Sequence, residues 1–191
     1  MYHRSIDLSH PVLWTVPDLL PPDLCAAQID RIEAAAPTPA PISTLRGAQM
    51  RPDIRNNDRV TFDDPATAAD LLARVRDHVP LQLSGMQLVG ANERLRCYRY
   101  GPGQRFAPHF DGAFVRDEHE QSLLSFLVYL NDGFEGGETI FPQEGGTIVP
   151  RAGMALLFQH RVLHEGAAVR SGVKYVLRSD LMYRKVDGGC T

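Results

Sequence analysis

The 191-residue chain has only three cysteines, Cys25, Cys97 and Cys190. They lie far apart, form no CxxC pair and show no zinc-type spacing, and their odd number argues against a disulfide framework. A reducing compartment, the cytoplasm by default, is the expectation. Positive charge is not in excess: the formal net charge is -3, which leaves no electrostatic footprint for nucleic acid or for an anionic membrane. No apolar run approaches the length of a bilayer-spanning helix. The opening stretch MYHRSIDLSHPVLW lacks the apolar segment of a secretory leader. There is no internal repeat and no low-complexity block, and nothing in the pattern speaks to oligomeric state. What is present is ordinary for a soluble globular chain, 43% hydrophobic and 23% charged, with length for one domain and a sizeable core.

The chain divides into a helical first part and a strand-rich remainder. A first helix is expected from Pro22 to about Ala35, because proline suits the first helical turn, and the prolines at 37, 39 and 41 end it. A second is expected after Asp64, a good N-cap, with Pro65 at the first helical position and Ala68, Leu71, Leu72, Val75 and Val79 at helical spacing before Pro80. Between them, Ile42 to Phe62 reads as a solvated loop. From Glu93 on, the pattern becomes short strands: Arg94 to Tyr100, Ser122 to Leu130, Thr139 to Phe141, Gly146 to Val149, Ala155 to Gln159, Leu163 to Val169 and Lys174 to Tyr183, mostly punctuated by Gly or Pro. This spacing predicts a mainly β fold, a double-stranded β-helix or cupin-like jelly roll, with the helices packed on one face. Residues 1–191 are expected to form one catalytic domain: 1–90 as helical support and lid, 91–184 as the jelly-roll core, 185–191 as a tail.

His109-Phe110-Asp111 carries the chemistry. Alone, His-x-Asp is a common chance pattern. On a strand, however, residues two apart leave the same face, and His164 falls on or just before a later strand that a jelly roll can bring alongside. Two imidazoles and one carboxylate leave coordination positions open and suit non-haem iron(II); the same set also holds catalytic zinc. Lys174, ten residues beyond His164, and Arg178 share a strand face. A buried cation there needs an anion, which a ligand carboxylate can supply and which a zinc hydrolase would not need.

The stretches LRCYRYGPGQRFAPHFDG, SLLSFLVYLNDGFEGGETIFP and LLFQHRVLHEGAAVRSGVKYVLRSDLMY, in that order, resemble the prolyl 4-hydroxylase-like branch of the iron(II)- and 2-oxoglutarate-dependent dioxygenases. The resemblance spans roughly residues 90 to 184. It implies that His109, Asp111 and His164 ligate iron and that Lys174 pairs with the distal carboxylate of 2-oxoglutarate. Tyr100, Tyr129 and Thr139 would line the co-substrate pocket. Arg178 competes for the anchor role, since some related families place their basic residue about four positions later. Relatives often carry an aromatic residue where Asp180 stands. His160 reads as a supporting histidine rather than a ligand.

The implied reaction consumes O2 and 2-oxoglutarate, releases succinate and carbon dioxide, and hydroxylates an unactivated C–H bond of a small molecule or a prolyl or amino-acid residue, with ascorbate as an accessory reductant. Because Asp111 retains the carboxylate, halogenation is disfavoured; desaturation or cyclisation would depend on substrate placement. Substrate contacts are expected from the two flanking segments, Ile42 to Phe62 and Ala113 to Gln121. Arg55, Asp58 and Arg59 would bind a carboxylate or an amine, with Tyr98, Phe114 and Arg116 nearby. A non-catalytic jelly-roll binding module and a cupin-like metal-dependent hydrolase are the alternatives.

Overall fold

Strand Lys174–Lys185 organises the molecule. A computed structural model describes residues 6–44 and 47–186; Cys190 and the tail beyond residue 186 lie outside them. The strand sits inside a nine-stranded sheet. Glu120–Tyr129 and then Ala155–Gln159 and Leu13–Val16 flank it on one side, with Arg94–Tyr100, Asp58–Asp63 and Thr38–Pro39 on the other. Met86–Ala91 pairs with its far end. A second, four-stranded sheet runs in the order Gly146–Ile148, Thr139–Phe141, His164–Gly166 and Phe106–His109. All of these pairings are antiparallel, and the two sheets make the expected jelly-roll-like architecture.

Strand alternation sorts the core into two layers. Leu95, Cys97, Phe126, Val128 and Leu177 join Ile32 of the first helix and Leu71 of the second in one buried cluster. Tyr98, Tyr100, Tyr129, Phe141, Phe158 and Val176 form the other. The helices thus pack on one face of the large sheet, and the aromatic layer faces the interior. Each fully buried Leu or Phe contributes about 1.5–3 kcal/mol.

Helix α1 spans Pro22–Ala34 and α2 spans Pro65–Val75. Asp64 caps α2 by accepting from the Thr67 amide and hydroxyl, and Arg31 of α1 donates to the same carboxylate. The Thr67 amide bond, then Arg31, hold its pKa down at about 2. One cap therefore also ties the two helices together.

Three expectations need correction. The segment 42–62 is not a plain loop: it holds a hairpin, Ile42–Thr44 with Gly47–Gln49, and the strand Asp58–Asp63, which pairs with Arg94–Tyr100. Its polar residues hid a strand whose main partner is distant in sequence. The run 163–169 divides into His164–Gly166 and Val169–Ser171, which pair in different sheets. Asp111 does not share a strand with His109; the strand Phe106–His109 ends at the histidine. Among the described residues, no helix is long and apolar enough to cross a membrane.

Candidate active site

The small sheet places the two histidines side by side. His109 lies directly opposite His164 in the antiparallel register, and their ring centroids are 4.2 Å apart. Each ring is oriented by its own strand: His109 Nδ1 donates to Ala107 O at 2.9 Å and His164 Nδ1 to Val162 O at 3.0 Å. With Nδ1 carrying the proton, Nε2 of each ring keeps a free lone pair. Phe106 stacks on His109 at 3.5 Å. Asp111 returns past the strand end, so that its oxygens lie 3.7 Å from His109 Nε2 and 3.6 Å from His164 Nε2. The three candidate ligand atoms all fall within 4.8 Å of one another, a spread that one ion can bridge.

Protonation suits a metal. Burial, followed by the neighbouring His164, pushes His109 down to about 4, and burial lowers His164 against the pull of Asp111. Both imidazoles are neutral at neutral pH. Burial alone would raise the Asp111 pKa, but the adjacent Arg178 guanidinium counters it and the carboxyl stays ionised.

Asp111 is held from two sides. Arg178 Nη1 donates to Oδ1 at 2.7 Å, and Ser125 Oγ donates to Oδ2 at 2.5 Å. Behind Ser125 stands a chain with one self-consistent direction. The Phe114 amide donates to Ser122 Oγ (2.8 Å), Ser122 to His160 Nε2 (2.7 Å) and His160 Nδ1 to Ser125 Oγ (3.0 Å). Burial lowers His160 to about 4 and keeps it the neutral tautomer that this chain requires. Sequence reading does not single out Ser122 and Ser125, although two serines in the otherwise largely apolar run Ser122 to Leu130 are a readable signal.

Lys174 and Arg178, four residues apart on one strand, meet different partners. Arg178 also pairs with Asp180 at 3.2 Å, and Arg96 bonds the other oxygen of Asp180 at 2.9 Å. Asp180 thus anchors arginines in place of an aromatic wall. Lys174, 3% exposed, donates to Gly137 O at 2.6 Å and makes no ion pair among the described residues, with Glu138 acting on it only at longer range. Burial lowers its pKa to about 7. Its Nζ is 5.3 Å from the ring centroids of both Tyr100 and Tyr129, and the Tyr129 hydroxyl bonds Thr139 Oγ1 at 2.6 Å. Lys174, Tyr100 and Thr139 line one small pocket with His109, Asp111 and His164.

A second cavity, of about 510 Å³, meets the histidine–aspartate cluster from another direction. Arg55, Arg59, Tyr98 and Phe114 line it, whereas Asp58 and Arg116 do not. Arg116 instead pairs with Glu93 and Glu120, and Asp58 lies in register between Arg99 and Pro39 of the two neighbouring strands. A third cavity reaches Asp111 from the His160 side but touches neither His109 nor His164.

The model for the 2OG-Fe(II) oxygenase superfamily matches residues 95–179. A probable prolyl 4-hydroxylase 11 of Arabidopsis thaliana is 40% identical over 73 residues, 35% of this chain and 24% of that protein. The prolyl 4-hydroxylase subunit alpha-2 of Gallus gallus is 32% identical over 130 residues, 60% of this chain and 23% of its own length. The chain therefore spans about a quarter of the length of these curated relatives. Among solved structures, a viral collagen prolyl hydroxylase from Paramecium Bursaria Chlorella virus-1, in a 2OG complex, superposes with a TM-score of 0.67 at 21% identity, covering 92% of this chain and 98% of that one. A Pseudomonas putida prolyl-4-hydroxylase gives 0.63 at 23% identity, covering 94% and 95%. At these identities the structural likeness speaks for the fold.

Proposed function

Starting from a chain that belongs to the 2OG-Fe(II) oxygenase superfamily and is prolyl 4-hydroxylase-like, we propose that it is an iron(II)- and 2-oxoglutarate-dependent dioxygenase, acting as one catalytic unit, that hydroxylates an unactivated C–H bond of a small molecule or of a prolyl or amino-acid residue. His109, Asp111 and His164 would hold the iron, and Lys174 would take the distal carboxylate of 2-oxoglutarate. The donor set fits: two neutral imidazoles with Nε2 free and one ionised carboxylate. Cytoplasmic residence goes with this reading, supported by Cys25 and Cys97, which are free and buried.

When bound, ferrous iron would supply the centre at which O2, the oxidant, reacts, with 2-oxoglutarate giving up two electrons as it becomes succinate and carbon dioxide. The chain supplies position. Lys174 offers a desolvated ammonium that, among the described residues, hydrogen-bonds a carbonyl and makes no ion pair, so an incoming carboxylate gains a strong charge-assisted bond. The Tyr129–Thr139 bond fixes a hydroxyl pair in the same aromatic layer. Leu127 and Val176 give that pocket apolar walls that exclude water. Arg178 and Ser125 hold Asp111 at one angle and keep it ionised.

One observation carries this reading against a hydrolase or a non-catalytic module: a buried, unpaired lysine opens into the same pocket as the histidine–aspartate cluster. Neither alternative needs that cation. The test is anaerobic addition of iron(II) and 2-oxoglutarate, followed by oxygen. A weak visible absorption band and then succinate are expected, both absent in a folded His164→Ala variant. A correctly folded wild-type chain that yields neither would overturn the proposal.

A further inference from the structure

The 510 Å³ cavity is lined by more positive charge than its carboxylates balance. Arg55, Arg59, Arg96 and Arg178 all face it, and Asp111 is its one acidic lining residue. Asp111 and Asp180 account for two of the four guanidinium groups, pairing with Arg178 and Arg96. Arg55 and Arg59 make no ion pair among the described residues. A ferrous ion and a 2-oxoglutarate dianion cancel each other, so loading the centre leaves that excess in place. The field is felt locally: burial would raise the Tyr98 phenol, yet Arg178, Arg55 and Arg96 together lower it. Arg59 is partly buried, and its pKa is lowered by burial and by the neighbouring arginines Arg55, Arg96 and Arg94.

Arg55 is built rather than merely present. It is 5% exposed, and its guanidinium lies 4.5 Å from the centroids of both Tyr98 and Phe106. Its Nε donates to Asn57 Oδ1 at 2.7 Å, and the Asn57 amide in turn donates to Asp58 O. Nη2 is buried and has no partner. An orphaned charged donor costs free energy unless a ligand satisfies it, and a planar fork fixed by two rings matches the geometry of an oxyanion.

We propose that this cavity recognises the oxyanion of an acidic substrate through Arg55 and Arg59, which places the carbon to be oxidised against the wall made by His109 and Asp111. The second half of this statement rests on the hydroxylase reading; the anion site does not. A carboxylate and a phosphate ester both carry the required chemistry.

The test uses the metal-free full chain and three probes of one shape: benzoate, phenyl phosphate and neutral benzamide, titrated calorimetrically. At least one anion is expected to bind ten or more times more tightly than benzamide, and the better of the two identifies the oxyanion. Arg59→Gln, at a partly exposed position that should not disturb folding, should weaken that anion at least tenfold and leave benzamide unchanged. Lys174→Met should leave it unchanged, which shows that the probe is not in the co-substrate pocket. Equal binding of charged and neutral probes, or loss of the anion in Lys174→Met but not in Arg59→Gln, overturns the proposal. Because no iron is present, failure here is separate from failure of the succinate assay.

Discussion

Arg178 Nη1 lies 2.7 Å from Asp111 Oδ1, so the strand that carries the proposed co-substrate lysine also carries the cation that holds the candidate iron-binding carboxylate. Lys174 and Arg178 share a strand face and a charge but do opposite jobs. Among the described residues one makes no ion pair, whereas the other is spent on the protein's own carboxylates.

Substitution should separate the two. Lys174→Met is expected to raise the apparent Kd for 2-oxoglutarate at least tenfold without lowering the melting temperature, since it removes a desolvated charge. Arg178→Met strands Asp111 and Asp180 and should cost about 3–5 kcal/mol, read from urea denaturation. Equal destabilisation by both variants would mean that Lys174 is paired in solution.

The lowered pKa of Lys174, about 7, has a defined sign. Above that pH the folded chain has lost the proton while the unfolded chain keeps it up to its ordinary value of 10.5. The unfolded state then binds more protons, and stability rises with pH across this window. The ligand-free chain should therefore gain stability between pH 7 and 10, and Lys174→Met should abolish the gain. Binding of 2-oxoglutarate needs the charged form, so calorimetry at pH 8 in buffers of different ionisation enthalpy should report proton uptake, absent in the variant.

Ser125 joins His160 to Asp111. Ser125→Ala is expected to weaken metal affinity about 10–100-fold, the usual cost of losing a partner behind a ligand, with the fold retained. Competition with a chromogenic chelator measures this; an unchanged affinity would show that Arg178 alone suffices to aim the carboxylate.

Gly137 has φ +68°, and an added Cβ would come within 3.0 Å of Phe134, 3.1 Å of Lys174 Cδ and 3.2 Å of Val169. Gly137→Ala should cost about 1–3 kcal/mol from overpacking and should also weaken 2-oxoglutarate binding, because the side chain that gives way is the anchor. A stability loss with no change in 2-oxoglutarate affinity would detach this turn from the pocket.

Much of this was legible from local chemistry. Pro22 and the Asp64-Pro65 pair mark helix starts because capping depends on neighbours one to three residues away. The alternation in Arg94–Tyr100 marks its strand because the pleat has a period of two. The strand Asp58–Asp63 was not legible, because its polar side chains take their meaning from a cavity that only the folded sheet creates.

Residue type and spacing were enough to single out His109, Asp111, His164 and Lys174 as candidates, and the fold brings all four to one small pocket. The separate roles of Lys174 and Arg178 followed from packing. Asp111 lies 67 positions before Arg178 in the chain, and only strand pairing brings them into contact. A charge becomes an anchor or a brace according to which counter-charge the fold sets beside it, and no local pattern encodes a partner contributed by a distant strand.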